Sequence, residues 1–152
     1  ISKIADVPKG LIEKGEEALD KLLPRESETK GEDMALLSLI YPYDIATKKQ
    51  RDAILKNVEE KLVKEKGVIR YIGDKYYFRN GEAMWTNGLP WLAIIYKRLN
   101  NPEKYAYYMR KTIAAMNGKG ELPELYYADG KGYNENCPLA WSHALFMAGL
   151  GG

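Results

Sequence analysis

Apolar residues recur at helical spacing along most of the chain, and proline, glycine and asparagine cut the pattern into six segments. The first carries Leu11, Ala18, Leu19, Leu22 and Leu23, with Asp6 as a candidate cap, Pro8 at its start and Pro24 as its stop. Residues 25–31 are polar and read as a loop. Residues 32–40, EDMALLSLI, read as a short apolar helix that ends at Tyr41-Pro42. Asp44 or Thr47 caps a third helix, with Ile54, Val58 and Leu62 on one stripe, which runs to about Lys66 and closes at Gly67. A fourth starts at Ala83 or Leu89 and ends at Leu99. Asn101-Pro102 opens a fifth, with Tyr105, Met109, Ile113 and Met116 on one face, and Asn117-Gly118 ends it. Pro138 begins a sixth, which runs to Leu150 and stops at Gly151-Gly152.

Two stretches lack any helical period. Residues 68–82, VIRYIGDKYYFRNGE, hold four aromatics and two glycines and read as a long ordered loop, with room for a small hairpin. Residues 118–137 form the second. Long ordered loops in a helical domain are more often functional than idle. The expected fold is all-α: six helices as αα-hairpins in one domain over 1–152, without an internal boundary. Short turns alternate with long loops, so both long loops are expected at the same end, where they build one site.

Composition narrows the function. At 152 residues the chain is long enough for one real core. Its 23 basic and 21 acidic side chains leave a formal charge of +2, which gives no basic stripe for nucleic acid. No apolar run approaches the roughly 20 residues of a membrane span. One cysteine, Cys137, excludes an internal disulfide framework, and with one histidine, His143, it cannot build a Cys/His zinc site. The reading requires no metal and no cofactor. The chain opens Ile1-Ser2-Lys3 without an initiator methionine, and is expected to be processed, trimmed or part of a longer protein.

What remains is a tyrosine-rich domain with a few candidate chemical groups. Glu124 follows Pro123, whose ring fixes the backbone and so aims the carboxylate. Read alone, it is first of all a solvated surface glutamate, as Glu121, Asp129 and Glu135 are solvated surface carboxylates. Arg70 offers a planar fork of donors suited to vicinal hydroxyls or a carboxylate, and Asp74 is a candidate partner that would brace the loop. Tyrosine and tryptophan faces suit the C–H face of a sugar ring. His143 is read as a hydrogen-bonded core histidine, Cys137 as structural, and Lys48-Lys49-Gln50-Arg51 as a solvated helix face.

Two blocks together sharpen this. Arg70-Tyr71-Ile72-Gly73-Asp74-Lys75-Tyr76-Tyr77 resembles the R-Y-x-x-D-x-Y segment of glucoamylases, glycoside hydrolase family 15. Leu122-Pro123-Glu124, followed by Pro138-Leu139-Ala140-Trp141-Ser142-His143-Ala144, resembles that family's L-P-E-Q … P-L-x-W-S-H-A block. Asp33 to Pro42 resembles its D-x-x-L-L-x-L-x-x-P helix, and Trp85 to Tyr96 the helix between the blocks. The likeness covers roughly 32–150. Leu125 stands where the family usually has glutamine.

The resemblance implies half of an (α/α)6 toroid, the C-terminal half of a catalytic domain that releases β-D-glucose from non-reducing ends of α-glucans with inversion. It implies Glu124 as the general base, Arg70 against sugar hydroxyls near the cleaved bond, Tyr76 and Trp141 along the first glucose subsite, and Trp85 at its rim. The expected partners are an α-glucan or small α-glucoside and an N-terminal half of the same domain, or a second copy. Nucleic acid and membrane are not expected. Inversion needs a second carboxyl, and the resemblance puts it upstream of this chain. Two other readings stay open: the same scaffold acting on trehalose or dextran-type α-glucosides, and a non-catalytic carbohydrate-binding or regulatory helical module.

Overall fold

The computed structural model describes residues 7–151. Among them stand five α-helices: α1 (Leu11–Leu22), α2 (Lys48–Asn57), α3 (Gly88–Arg98), α4 (Pro102–Ala114) and α5 (Ala140–Leu150). A 3-10 helix, Met34–Leu39, precedes α2, and a π turn, Val58–Leu62, extends it. With α2 and its extension taken as one rod, the described residues hold six helical segments, and the chain is mainly helical. Two very short strands, β1 (Met84–Trp85) and β2 (Leu125–Tyr126), pair antiparallel, Met84 opposite Tyr126 and Trp85 opposite Leu125.

Local chemistry explains most helix ends. Thr47, rather than Asp44, caps α2: its hydroxyl accepts the Gln50 N–H and the Gln50 side chain accepts the Thr47 N–H in return. Asn101 Oδ1 accepts the Lys104 N–H at 3.0 Å, with Pro102 in the first turn of α4. The Asp6 cap lies outside the described residues. α1 begins at Leu11, three residues past Pro8, after Gly10 in the left-handed region.

Three expectations need correction. Residues 34–39 wind as a 3-10 helix; the stretch is too short to sustain α-helical bonding, and the Ser38 hydroxyl bonds the Ala35 carbonyl three residues back at 2.7 Å. The third helical rod ends at Leu62, not near Lys66, because the chain doubles back: Lys64 N–H donates to the Gly67 carbonyl and Ile69 N–H to that of Leu62. Gly67 therefore serves close approach rather than capping; a Cβ there would lie 2.6 Å from the Trp85 carbonyl oxygen. On α4 the buried positions are Tyr108, Met109 and Thr112, whereas Ile113 is exposed. The ring of Tyr108 stacks on Tyr96 of α3 at 5.8 Å and turns the helix to that face.

α3 is the centre of the core. Every residue from Gly88 to Tyr96 is buried. α4 packs along it, and α5 also lies against it. Leu37, Ile54, Leu62, Leu89, Leu92, Ile95, Leu122 and Leu125 are its most enclosed side chains. A polar group is built into one flank: Lys104 donates to Glu59 at 2.6 and 2.9 Å and to the Tyr96 hydroxyl at 3.1 Å, and Tyr108 donates to Glu59 at 2.8 Å. Burial pushes the Tyr96 phenol up to about 12, and the Tyr108 phenol is raised by burial and then by Glu59. By contrast, α1 buries no residue.

Gly67→Ala is expected to destabilise the chain by about 1–3 kcal/mol, because its new methyl meets strand backbone that cannot step aside. Equilibrium urea denaturation reads this directly.

Candidate active site

The two long loops meet at the short sheet. Trp85 is the junction: it bridges Val68 on one side and pairs with Leu125 on the other. Arg70 lies two residues beyond Val68, and Glu124 one residue before Leu125. Backbone pairing thus brings the candidate groups of both loops to either side of one tryptophan. The loops do share one end, as their lengths predict. Side chains fasten them further. The Tyr77 hydroxyl donates to Glu135, and the Arg79 guanidinium lies 3.7 Å over the Tyr127 ring.

Arg70 and Asp74 form the brace. Arg70 Nε and Nη2 donate to Asp74 Oδ2 and Oδ1 at 2.6 and 2.7 Å, a two-pronged pair. Asp74 is 1% exposed and also accepts the Tyr76 N–H at 3.0 Å. Burial alone would push the Asp74 carboxyl up; the Arg70 guanidinium and the Tyr76 N–H outweigh it and hold the group below the usual carboxylate range. The same bonds raise Arg70. The guanidinium carbon lies 4.7 Å from the Trp85 ring centre and 5.0 Å from that of Tyr76. Those two rings stack at 5.7 Å. The result is a wall of one cation and two rings. Tyr76 is 44% exposed, while Trp85, at 9%, backs the wall.

Glu124 is half-buried. Its carbonyl accepts the Thr86 N–H at 3.1 Å, and its N–H donates to the Asn136 carbonyl at 2.9 Å. Its carboxylate accepts from the amides of Asn134 and Asn136 at 2.5 and 2.8 Å. Neither asparagine is picked out by the sequence; a polar N-E-N run ten residues downstream of a glutamate is the only trace, and loops contain many such runs. Leu125, where the resemblance leads one to expect glutamine, is fully buried opposite Trp85. The segment before Glu124 is tied to α5: the Leu139 N–H donates to the Leu122 carbonyl at 2.8 Å, and Thr86 Oγ1 bonds both the Pro123 carbonyl and Ser142 Oγ.

His143 is hydrogen-bonded as expected, but it is half-buried rather than a core residue. Its Nε2 accepts the Leu122 N–H at 3.0 Å, so that nitrogen is occupied and carries no proton of its own. Cys137 is structural too. Its sulfur lies 3.4 Å from Asn117 Nδ2 and 3.7 Å from Glu121 Oε2, and burial and then Glu121 push the thiol up. Trp141 stands apart from the Arg70 wall. It is 51% exposed, and its ring neighbour is Trp91 at 5.7 Å. It lines an apolar cleft of about 450 Å³ with Tyr41, Tyr43, Trp91 and Leu145. Buried polar atoms without a partner among the described residues cluster by the junction: Trp85 Nε1, both polar atoms of the Asn87 side chain, and Asn134 Oδ1.

No family model and no curated protein matches the chain. Solved structures do. It is similar to a wild-type glycosidase at TM-score 0.63 and 18% identity, over 77% of this chain and 34% of that one. A glycosidase variant solved in complex with glucose matches at TM-score 0.60 and 19% identity, with the same coverage. The chain spans about a third of the length of these neighbours. At such identity the likeness establishes fold: this chain folds as a segment of glycosidase structures does.

The brace gives a pH-dependent expectation. Asp74→Ala should cost about 1.5–3 kcal/mol at pH 7, the range for hydrogen bonds to charged groups. A carboxyl held low in the folded state stabilises above its unfolded value, and that contribution is lost as pH falls through the folded value. The stability gap between the natural chain and Asp74→Ala should stay constant from neutrality to about pH 4 and narrow below it. Urea melts across pH read the gap. Narrowing already between about pH 7 and 5 would assign the titration to another group.

Proposed function

We propose that this chain supplies the general base and part of the sugar subsite of an inverting, glucoamylase-type glycoside hydrolase, which releases β-D-glucose from non-reducing ends of α-glucans. One observation carries the reading: backbone pairing at Trp85 joins the segment that carries Arg70 and its stacked rings to the segment that carries Glu124, a half-buried carboxylate held by two amides. The glycosidase-like fold supports it.

In this reading Glu124 takes a proton from a water as that water attacks the anomeric carbon. Tyr76 offers its open ring to the sugar's C–H face, and Trp85 backs it. Arg70 spends two donors on Asp74; Nη1 has no hydrogen-bond partner among the described residues and is directed to sugar hydroxyls near the cleaved bond. Trp141 would contribute from its own cleft on the α5 side, beside Trp91. Asp74 is committed to Arg70 and does not serve as the acid. The general acid, roughly 6.5–9.5 Å from the base in such enzymes, is assigned to chain outside these 152 residues. Two facts support an added part: the match covers 34% of the neighbour's chain, and α5, which has no charged side chain, exposes Trp141, Met147 and Leu150.

Glucose release from maltose, trehalose and isomaltose, measured on the full-length protein that carries this chain, separates the substrate classes. Sugar binding without turnover on any of them would favour a binding module. The 152-residue chain alone is expected to show none; robust maltose hydrolysis by it would place an acid within it. In the full-length protein, Glu124→Ala should lower turnover by roughly 10²–10⁴-fold with little change in substrate binding. Azide should then enter the vacated space and give the β-glucosyl azide. Near-normal turnover would remove Glu124 as base, and an α-azide would refute the inverting geometry.

A further inference from the structure

The grip on Glu124 is one-sided. Asn134 Nδ2 and Asn136 Nδ2 both donate to Oε2. Oε1 has no hydrogen-bond partner among the described residues. Charge fixes which way the amides point, because either one reversed would set a carbonyl oxygen against the carboxylate. Asn134 is 2% exposed, and its Oδ1 finds no partner among the described residues. A buried amide with one end unpaired is unfavourable. Among the described residues the short bond that the Asn134 amide donates is the one to Glu124, with the Tyr77 hydroxyl as its other polar neighbour.

We propose that Asn134 and Asn136 are positioning residues that occupy Oε2 and leave Oε1 as the atom that takes the proton. The inference rests on Glu124 being the base. An ionised carboxylate offers about four acceptor sites, two on each oxygen. Two amide donors fill those of Oε2. They also stop rotation about the terminal bond, which would otherwise exchange the two oxygens and sweep the free one away from the attacking water. A base has to stay within about 2.6–3.2 Å of its proton donor, so a fixed oxygen is worth more than a mobile one.

Asn136 is exposed, so its substitution leaves the core untouched. The test uses the full-length protein with the α-glucoside it turns over fastest. Asn136→Ala is expected to lower kcat about tenfold with KM changed less than about twofold. Asn136→Asp replaces a donor by a like charge; its pH–rate profile should lose the acid limb at higher pH, by about one unit. Asn134→Asp, checked by thermal melting, should shift the profile the same way. A normal kcat with an unmoved profile in Asn136→Asp, while Glu124→Ala has lost turnover, overturns the clamp and leaves the base in place. A lowered kcat with an unmoved profile in Asn136→Asp would mark a merely structural role and also overturns it. Near-normal turnover in Glu124→Ala overturns the base assignment and the clamp with it.

Discussion

The pairing of Met84–Trp85 with Leu125–Tyr126 holds the chemistry of this chain in place. Neither long loop has a helix of its own to satisfy its backbone. Buried N–H and C=O groups must nevertheless find partners. They find them in each other: Val68 and Trp85 exchange two bonds at 2.9 Å, and Tyr126 bridges Tyr133 across the second loop. Because a strand fixes direction and register together, this small patch decides which residues of loop 68–82 can face those of loop 118–137. Lose the pairing, and Arg70 and Glu124 belong to unrelated segments.

The helices were legible because their information is local. Thr47 with Gln50, and Asn101 with Pro102, mark starts that follow from hydrogen-bond chemistry over four residues. The strands were not legible. Two residues give no alternation to read, and β1 and β2 exist only because residues about forty apart meet. The same limit separates the candidate residues. Arg70 and Asp74 lie four apart, so their pairing could be weighed from spacing. The partners of Glu124 could not, since Asn134 and Asn136 reach it only after the loop turns back. Ile113 failed for another reason: helical periodicity gives a face, but the Tyr96–Tyr108 stack decides how that face is rotated.

The site combines rigid and soft parts. Asp74 fixes Arg70, and the two rings flank the cation, so the wall needs little rearrangement to receive a flat sugar face. The link from Leu122 and Pro123 to α5, through His143, Leu139, Thr86 and Ser142, ties the glutamate's own loop to a helix rather than to solvent. α5 in turn rests on α3. A disturbance of the core along α3 therefore reaches Glu124 by a short covalent and hydrogen-bonded route.

Cys137 sits at the root of that loop, its sulfur shared between Asn117 and Glu121. A thiol reacts as its thiolate, and here burial and a neighbouring carboxylate both disfavour that form. The sole sulfhydryl of the chain is accordingly a slow target for alkylating reagents and peroxide at neutral pH. A cysteine introduced at an exposed position such as Lys119 would take a thiol-directed probe in preference to it.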